Sequence, residues 1–362
     1  MKNIDDFIEV AVNTGDEYKV MIGNDLLNKT GEILSALGFK KIAIITDNKV
    51  WSIYKEELAK SLKCLNIHYE VLIFLHGENS KSVQNYLKGI DFLAENNYRR
   101  SDALLAFGGG VIGDLGGFIS ATYQRGMQFV QLPTTLLAGV DSSVGGKTAI
   151  NLKQGKNLLG AFKQPKKVIC DLSLYKTMDK KYFLDGVAET IKYSILSSKE
   201  MFYELLSPIK QDDLRLEYLV KRCVEYKAKI VALDEQDNDI RRLLNLGHTI
   251  GHSIEKLSNY SITHGFAVAI GICYIAKLSY VLNLITKETA KDIVNCIEKN
   301  DLPISTNFTP EEIFQNSILD KKCEDDTITV ILIQDIGSCV LKKISLLKWK
   351  QYIKSAMEAN LD

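Results

Sequence analysis

The sequence predicts an α/β domain built on a parallel sheet, followed by a mainly α-helical domain. Three observations carry this. Apolar strand-like runs, Ile42 to Thr46, Tyr69 to Leu75 and Ala103 to Phe107, alternate with helix-like segments near 25–37, 50–63 and 80–96, and regular alternation of this kind builds a parallel sheet covered by helices. A glycine-rich turn, Gly108 to Asp114, follows the last of those strands directly. Beyond about Thr177 the pattern turns helical, near 180–207, 212–234, 242–257, 265–283 and 286–299.

In chain order, Phe7 to Val12 and Tyr18 to Ile22 read as a strand pair around Asn13-Thr14-Gly15. Phe129 to Leu132 and Val168 to Cys170 read as further strands. Two domains are the natural division of 362 residues, and the change of pattern puts them at 1–177 and 178–362. Near the end, Thr327 to Gln334 and Ser338 to Leu341 pair around Asp335-Ile336-Gly337, and an amphipathic helix starts near Leu346.

Composition narrows the function. Lys plus Arg and Asp plus Glu both number 45, so net charge is zero; this argues against a general nucleic-acid binder and leaves room for a local basic pocket. The seven cysteines are odd in number and scattered without a CxxC, as expected of reduced thiols in a cytoplasmic protein. Met1 to Asp6 lacks signal-peptide form, and the longest apolar run, Gly265 to Ala276, is too short to span a bilayer. Neither nucleic acid nor membrane is an expected partner.

The chemistry concentrates in Arg241 to Gly265, RRLLNLGHTIGHSIEKLSNYSITHG, which holds three of the five histidines. His248 and His252 are four apart and share a helix face, a metal-binding geometry. HExxH is absent, so a further ligand must come from elsewhere: His264, or a carboxylate in an apolar setting. Hydrogen-bonded core histidines are the plain alternative. Glu189 lies in the mostly apolar GVAETIKY run, where a buried carboxylate needs a partner or a metal. With His248 and His264 it would make a three-ligand site with an open position; a helix-surface carboxylate is the equal alternative. Lys192 lies one turn further along.

Gly108, Gly110 and Gly113 satisfy GxGxxG after a strand, so backbone amides could approach a pyrophosphate at a helix N-terminus. No acidic residue ends the next strand, which makes Asp47, after an earlier strand, the better candidate for a ribose contact. A purely structural glycine turn is the alternative. Thr134 and Thr135 end a strand with two hydroxyls. Asp141 to Thr148 resembles a P-loop tail but fails on spacing. Lys147, Lys153 and Lys156 with Asn157 could form a cationic pocket for a phosphorylated substrate, or a solvated basic loop.

Longer blocks carry a family resemblance: GGGVIGDLGGF, TYQRG, QLPTTLLAGVDSSVGGKTAIN, GKNLLGAF, GVAETIKY, RRLLNLGHTIGH and THGFAVAIG, running from Gly108 to Gly271. The chain resembles the 3-dehydroquinate synthases of the sugar phosphate cyclase family. The resemblance implies a Rossmann-like NAD-binding domain, a helical domain and an active site in the cleft between them. It implies a divalent ion, zinc or cobalt, on Glu189, His248 and His264, which moves His252 to the substrate. NAD contacts carry over to Asp47, Gly77, Glu78, Lys81, Gly109, Gly110, Val111, Ile112, Gly113, Asp114, Thr134, Thr135, Leu137, Asp141, Ser142, Lys147, Lys156, Leu174 and Thr177. Substrate contacts carry over to Asp141, Lys147, Asn157, Lys192, Lys227, Arg241, Asn245 and His252, with one of Lys321 and Lys322, here Lys322. Arg125 is expected to reach in from the partner of a homodimer. The residues expected to take part in catalysis are Lys147, Lys192, Arg241, Asn245 and His252. The implied reaction turns a heptulosonate phosphate into 3-dehydroquinate and phosphate through transient oxidation by NAD, phosphate elimination, re-reduction and aldol closure.

Overall fold

The computed structural model describes residues 7–318, 323, 324 and 326–361. It forms two compact units, Met1–Met178 with Leu216–Gln236, and Asp179–Arg215 with Asp237–Asp362.

The first unit is built on a seven-stranded sheet. Its elements in chain order are β1 (Phe7–Val12), β2 (Tyr18–Gly23), α1 (Thr30–Ala36), β3 (Lys41–Asp47), α2 (Asn48–Lys63), β4 (His68–Phe74), α3 (Val83–Glu95), β5 (Ala103–Gly108), α4 (Gly110–Thr122), β6 (Gln128–Pro133), β7 (Lys147–Leu152), β8 (Gly155–Phe162) and β9 (Lys167–Asp171). The sheet order is β1-β2-β9-β6-β5-β3-β4. β1 pairs antiparallel with β2, and every other neighbouring pair in the sheet is parallel. β5 is buried along its whole length, as a central strand covered on both faces must be. Leu105 and Phe107 pack into one core and Leu104 and Ala106 into another, so the alternation of the strand feeds both layers.

The chain leaves β3 for β4 on one side and returns to β5 on the other. The carboxyl ends of β3 and β5 therefore flank a topological switch point, the usual ligand crevice of an open α/β sheet. This is why the glycine-rich turn follows the third sheet strand of its series while Asp47 stands at the end of β3: the two are neighbours in space.

Several expectations change in detail. The segment 25–37 is a short 3-10 turn, Leu27–Lys29, followed by α1. The lysine-rich stretch is no loop: Lys147 opens β7 and Lys156 and Asn157 lie in β8, an antiparallel hairpin. The segment 180–207 is two helices, α5 (Lys180–Ser197) and α6 (Lys199–Glu204). Ser198 breaks the run in an extended conformation, and its side chain caps α6 at Met201 N. The next helix, α7 (Leu216–Leu233), packs on β1 and β2 and belongs to the first unit. A single cut at 177 misses this return. Leu219, Val220, Cys223, Val224 and Val231 form the apolar stripe of α7, and a helical period alone does not say which core such a stripe covers.

The second unit holds α5 and α6, then α8 (His248–Leu257), α9 (His264–Val281), α10 (Lys287–Lys299), α11 (Pro310–Ile318), β10 (Cys323–Glu324), β11 (Thr327–Asp335), β12 (Ser338–Ser345) and α12 (Leu346–Glu358). The late hairpin and the final helix stand as the sequence predicts. α9 is apolar on all sides. Its 18 residues have mean hydropathy 1.4, enough in length and composition to cross a membrane, but 72% of it is buried inside the protein. It is the central helix of this unit, packed by α5, α8, α10 and α12. Cys64, Cys170, Cys223, Cys273, Cys296 and Cys339 are free thiols.

Candidate metal centre and glycine-rich turn

Glu189 lies in the buried middle of α5 and is itself fully buried. His248 opens α8 and His264 opens α9. Gly247, just before α8, is left-handed at φ 78°. A Cβ there would lie 2.7 to 2.9 Å from Ile272 and the Val268 carbonyl, so only glycine lets the entry to α8 approach α9 this closely. One ligand atom each from Glu189, His248 and His264 lies within 4.8 Å of the other two. The Nε2 atoms of His248 and His264 stand 3.5 and 3.4 Å from Glu189 Oε1.

The outer nitrogens decide the tautomers. Nδ1 of His248 meets the Leu246 carbonyl at 3.1 Å. A carbonyl only accepts, so Nδ1 carries the proton and Nε2 presents its lone pair. Burial, then the charges of Lys192, His264 and His252, push His248 well below its usual range, so the ring is neutral. Nδ1 of His264 meets Glu255 Oε2 at 3.1 Å. Burial works against charge on this ring, but Glu189 and Glu255 on either side outweigh it and raise His264 to about 10. Lys192 pairs with Glu189 Oε2, and its ammonium lies 4.6 Å from the Tyr193 ring centre. The donor set of one carboxylate and two imidazoles is that of a catalytic zinc-type site. His252 stands beside it, its ring centre 5.4 Å from that of His248, but outside the trio. The adjacent histidines of the HxxxH helix therefore do not chelate together through this carboxylate. Arg241 and Asn245 lie in a 3-10 turn, Ile240–Asn245, with Arg241 buried.

In the first unit the Gly108–Asp114 turn leads from β5 into α4, with Gly109 at the N-cap. A Cβ on Gly109 would come 3.1 Å from Thr135 Cγ2, and one on Gly110 2.9 Å from Ser142 Oγ. The glycines bring the turn against the 134–142 segment and keep the helix N-terminus free of side chains, as a pyrophosphate would require. Ile112 and Gly113 complete the first turn by donating to the Gly109 carbonyl. Asp47 caps α2, its Oδ1 accepting from Lys49 N and Val50 N. Asp141 and Ser142 belong to a π-helical turn, Ala138–Ser142, with Leu137 at its N-cap, a geometry frequent at functional sites. Tyr54 Oη donates to the Leu174 carbonyl and touches Thr177 Oγ1, fixing both residues.

Lys81 is the hub of this half. Its ammonium donates to Asp114 Oδ2 at 2.7 Å and to Asn157 Oδ1, and lies 3.9 Å from Glu78 Oε1. Burial works against the Lys81 charge, yet Asp114 and Glu78 hold it above its usual range. Burial pushes the Asp114 carboxyl upward against the pull of Lys81. Gly77, left-handed at φ 112°, turns the chain from β4 into this cluster. Lys227, on α7, donates to the carbonyl and Oδ1 of Asp141 at 2.7 and 2.6 Å. Lys147 is exposed at the start of β7. Arg125 is exposed too; it and Gln124 hold left-handed backbone, φ 67° and 48°, which costs about 1 kcal/mol or more per residue. Lys321 and Lys322 lie outside the described residues.

Three residues escaped the sequence reading. Asn151 ties the Lys81 cluster together by donating to Glu78 Oε1 at 2.7 Å and accepting from Asn157 N at 2.9 Å; nothing in its local pattern signals this. Asp185 accepts from Gly265 N at 3.0 Å, and it lies one turn before Glu189. Glu255 lies seven residues after His248 on the same helix face, a spacing that could have revealed it.

Residues 71–185 match the family model for the 3-dehydroquinate synthase N-terminal part and residues 186–323 that for the C-terminal part. A 3-dehydroquinate synthase from Clostridium acetobutylicum is 38% identical over 94% of this chain and 97% of its own. Among solved structures, a 2-deoxy-scyllo-inosose synthase complexed with carbaglucose-6-phosphate, NAD+ and Co2+ has a TM-score of 0.85 at 24% identity, covering 96% of this chain and 99% of its own. A 2-epi-5-epi-valiolone synthase from Streptomyces hygroscopicus subsp. jinggangensis with NAD+ and Zn2+ bound has a TM-score of 0.86 at 23% identity, covering 97% and 99%. At these identities the two structures speak for the fold alone. The sequence matches carry further: by two family models in tandem and a relative matched over nearly its whole length, this chain belongs to the 3-dehydroquinate synthase family.

Proposed function

We propose that the protein converts 3-deoxy-D-arabino-heptulosonate 7-phosphate to 3-dehydroquinate and phosphate, the carbon–oxygen lyase step of the shikimate route to aromatic amino acids, with NAD and one divalent ion, zinc or cobalt, as its resident groups. The observation that carries the reading is the convergence of Glu189, His248 and His264, with both outer ring nitrogens already engaged. When bound, NAD supplies a reversible hydride acceptor and the ion a Lewis acid for the hydroxyls of the sugar.

The chain's own residues bind and orient. Glu189 and the two Nε2 atoms hold the ion. The α4 N-terminus at Gly109, Gly110, Val111, Ile112 and Gly113, together with Asp47, Gly77, Glu78, Lys81, Asp114, Thr134, Thr135, Leu137, Ser142, Lys156, Leu174 and Thr177, holds NAD. Lys147, Asn157, His252 and, from the partner of a homodimer, Arg125 neutralise the phosphate. Lys227 and Arg241 take the carboxylate, where the guanidinium fork matches a planar anion. Lys192 and Asn245 complete the substrate's polar surroundings, and Asp141 places Lys227. The enzyme works in the cytoplasm on this small molecule, with no nucleic acid or membrane as partner.

The test is incubation of the purified protein with the heptulosonate phosphate, NAD and zinc. The expected result is phosphate release that a chelator abolishes, with no net NADH. Accumulating NADH would instead mark a dehydrogenase.

A further inference from the structure

Glu255 is a carboxylate at 6% exposure on α8, and a buried carboxylate is costly unless something holds it. Its Oε2 stands 3.1 Å from Nδ1 of His264, while Nε2 of the same ring faces Glu189 Oε1 at 3.4 Å. His264 is the first residue of α9, and its backbone is already anchored. Asp185 Oδ1 accepts from Gly265 N at 3.0 Å, and a Cβ on Gly265 would come 2.3 Å from Asp185 Cα. The anchor fixes where the ring starts but leaves rotation about its side-chain bonds. A charged acceptor on Nδ1 stops that rotation and selects one tautomer. His248 receives the same service from the Leu246 carbonyl.

We propose that Glu255 is the positioning residue of the metal centre: its carboxylate takes the Nδ1 hydrogen of His264 and thereby aims Nε2 at the ion. The inference rests on the reading that Glu189, His248 and His264 hold a divalent ion. His252, Glu255 and His264 also bring ligand atoms within 4.8 Å of one another. A second ion there, alongside the first, would need both nitrogens of His264 stripped of hydrogen. Without His264 it would have two protein ligands only. The second trio is therefore the support of the first.

The experiment is titration of the metal-free full-length protein with Co2+, reading affinity, stoichiometry and the visible cobalt spectrum. The proteins compared are the wild type, Glu255→Ala and Glu255→Gln, with melting of each metal-free protein as a check on folding. Glu255→Ala should bind cobalt about 10- to 100-fold more weakly, the usual loss for an outer-shell partner, with an altered spectrum. Glu255→Gln should lose less, because its amide oxygen still accepts from Nδ1. Wild-type affinity and spectrum in both variants would overturn the proposal. So would two ions per wild-type chain with one lost in Glu255→Gln and the tighter unchanged, since Glu255 would then be a ligand. Failure of the underlying reading is distinguishable: the wild type itself would take up no cobalt, or Glu189→Ala would bind it as the wild type does.

Discussion

The glycine-rich half and the metal half are built on opposite principles. Around Lys81 the chain answers its own charges: the ammonium is surrounded by Asp114, Glu78 and Asn157, and Lys227 is matched by Asp141. Around Glu189 it gathers donors that compete for one carboxylate, with Lys192 on one oxygen and two imidazole nitrogens facing the other. The first arrangement is complete without a cation and offers backbone amides and hydroxyls to an anionic ligand. The second brings lone-pair donors together at a spacing a divalent ion would draw in. Two kinds of resident group can thus be told apart from the way each half satisfies its buried charge.

Substitutions should separate the halves. The largest effect belongs to Glu189→Ala, which removes the only carboxylate of the trio and takes the Glu189 carboxylate away from the buried Lys192 ammonium. Turnover should fall about 1000-fold or more, the scale of losing several kcal/mol of charge stabilisation. Metal content should fall with it, while NAD affinity by fluorescence titration stays within a few-fold of wild type. A joint collapse of both affinities would break the comparison. Next, Lys81→Met should weaken NAD binding about tenfold or more, as loss of a charge-assisted hydrogen-bond hub implies. It should also lower thermal stability, because the half-buried Asp114 carboxylate loses its ammonium partner. Cobalt uptake should be unchanged, and a loss of cobalt would show that the two halves are energetically one site.

Much of this was legible in the sequence, for reasons that differ by region. β5 and α4 could be read because a fully apolar run followed by glycines leaves few alternatives. The metal trio could be assembled only as a candidate, since Glu189 lies 59 positions from His248 and no periodicity spans that distance; the family blocks supplied the link. The β7–β8 hairpin was missed because its turn residues, Lys153 and Gln154, are not the Asn-Gly or Asp-Gly type that announces a hairpin. α7 was found as a helix but assigned to the wrong unit, because an apolar stripe reports burial and not its partner. Asn151 stayed invisible: its role depends on Asn157, brought to it by the β7–β8 pairing, and on Glu78, 73 positions away in the chain.

Arg241 tests the substrate side of the second unit at smaller scale. It is buried, and its proposed role needs a planar fork. Arg241→Lys keeps the charge but loses the two parallel donors. KM for the heptulosonate phosphate should rise about tenfold with metal content unchanged. Unaltered steady-state kinetics would remove Arg241 from the carboxylate site.

The smallest effect is one of pH, and it belongs to the metal half alone. In the metal-free protein His264 is raised from 6.5 to about 10. Its protonated form therefore stabilises the fold fully below pH 6.5, and that contribution is lost as pH rises through about 10. An ion bound at Nε2 must displace this proton, so between those limits metal binding and deprotonation of His264 are one event. Calorimetric titration with zinc at pH 8, in two buffers of different ionisation enthalpy, should show His264 releasing about one proton per ion bound. Metal-free protein should melt at progressively lower temperature from pH 6.5 toward 10, and the zinc-loaded protein should lack that component of the slope. No proton release at pH 8 would mean that the ring is already neutral, and that the metal half, like the glycine-rich half, settles its charges before its ligand arrives.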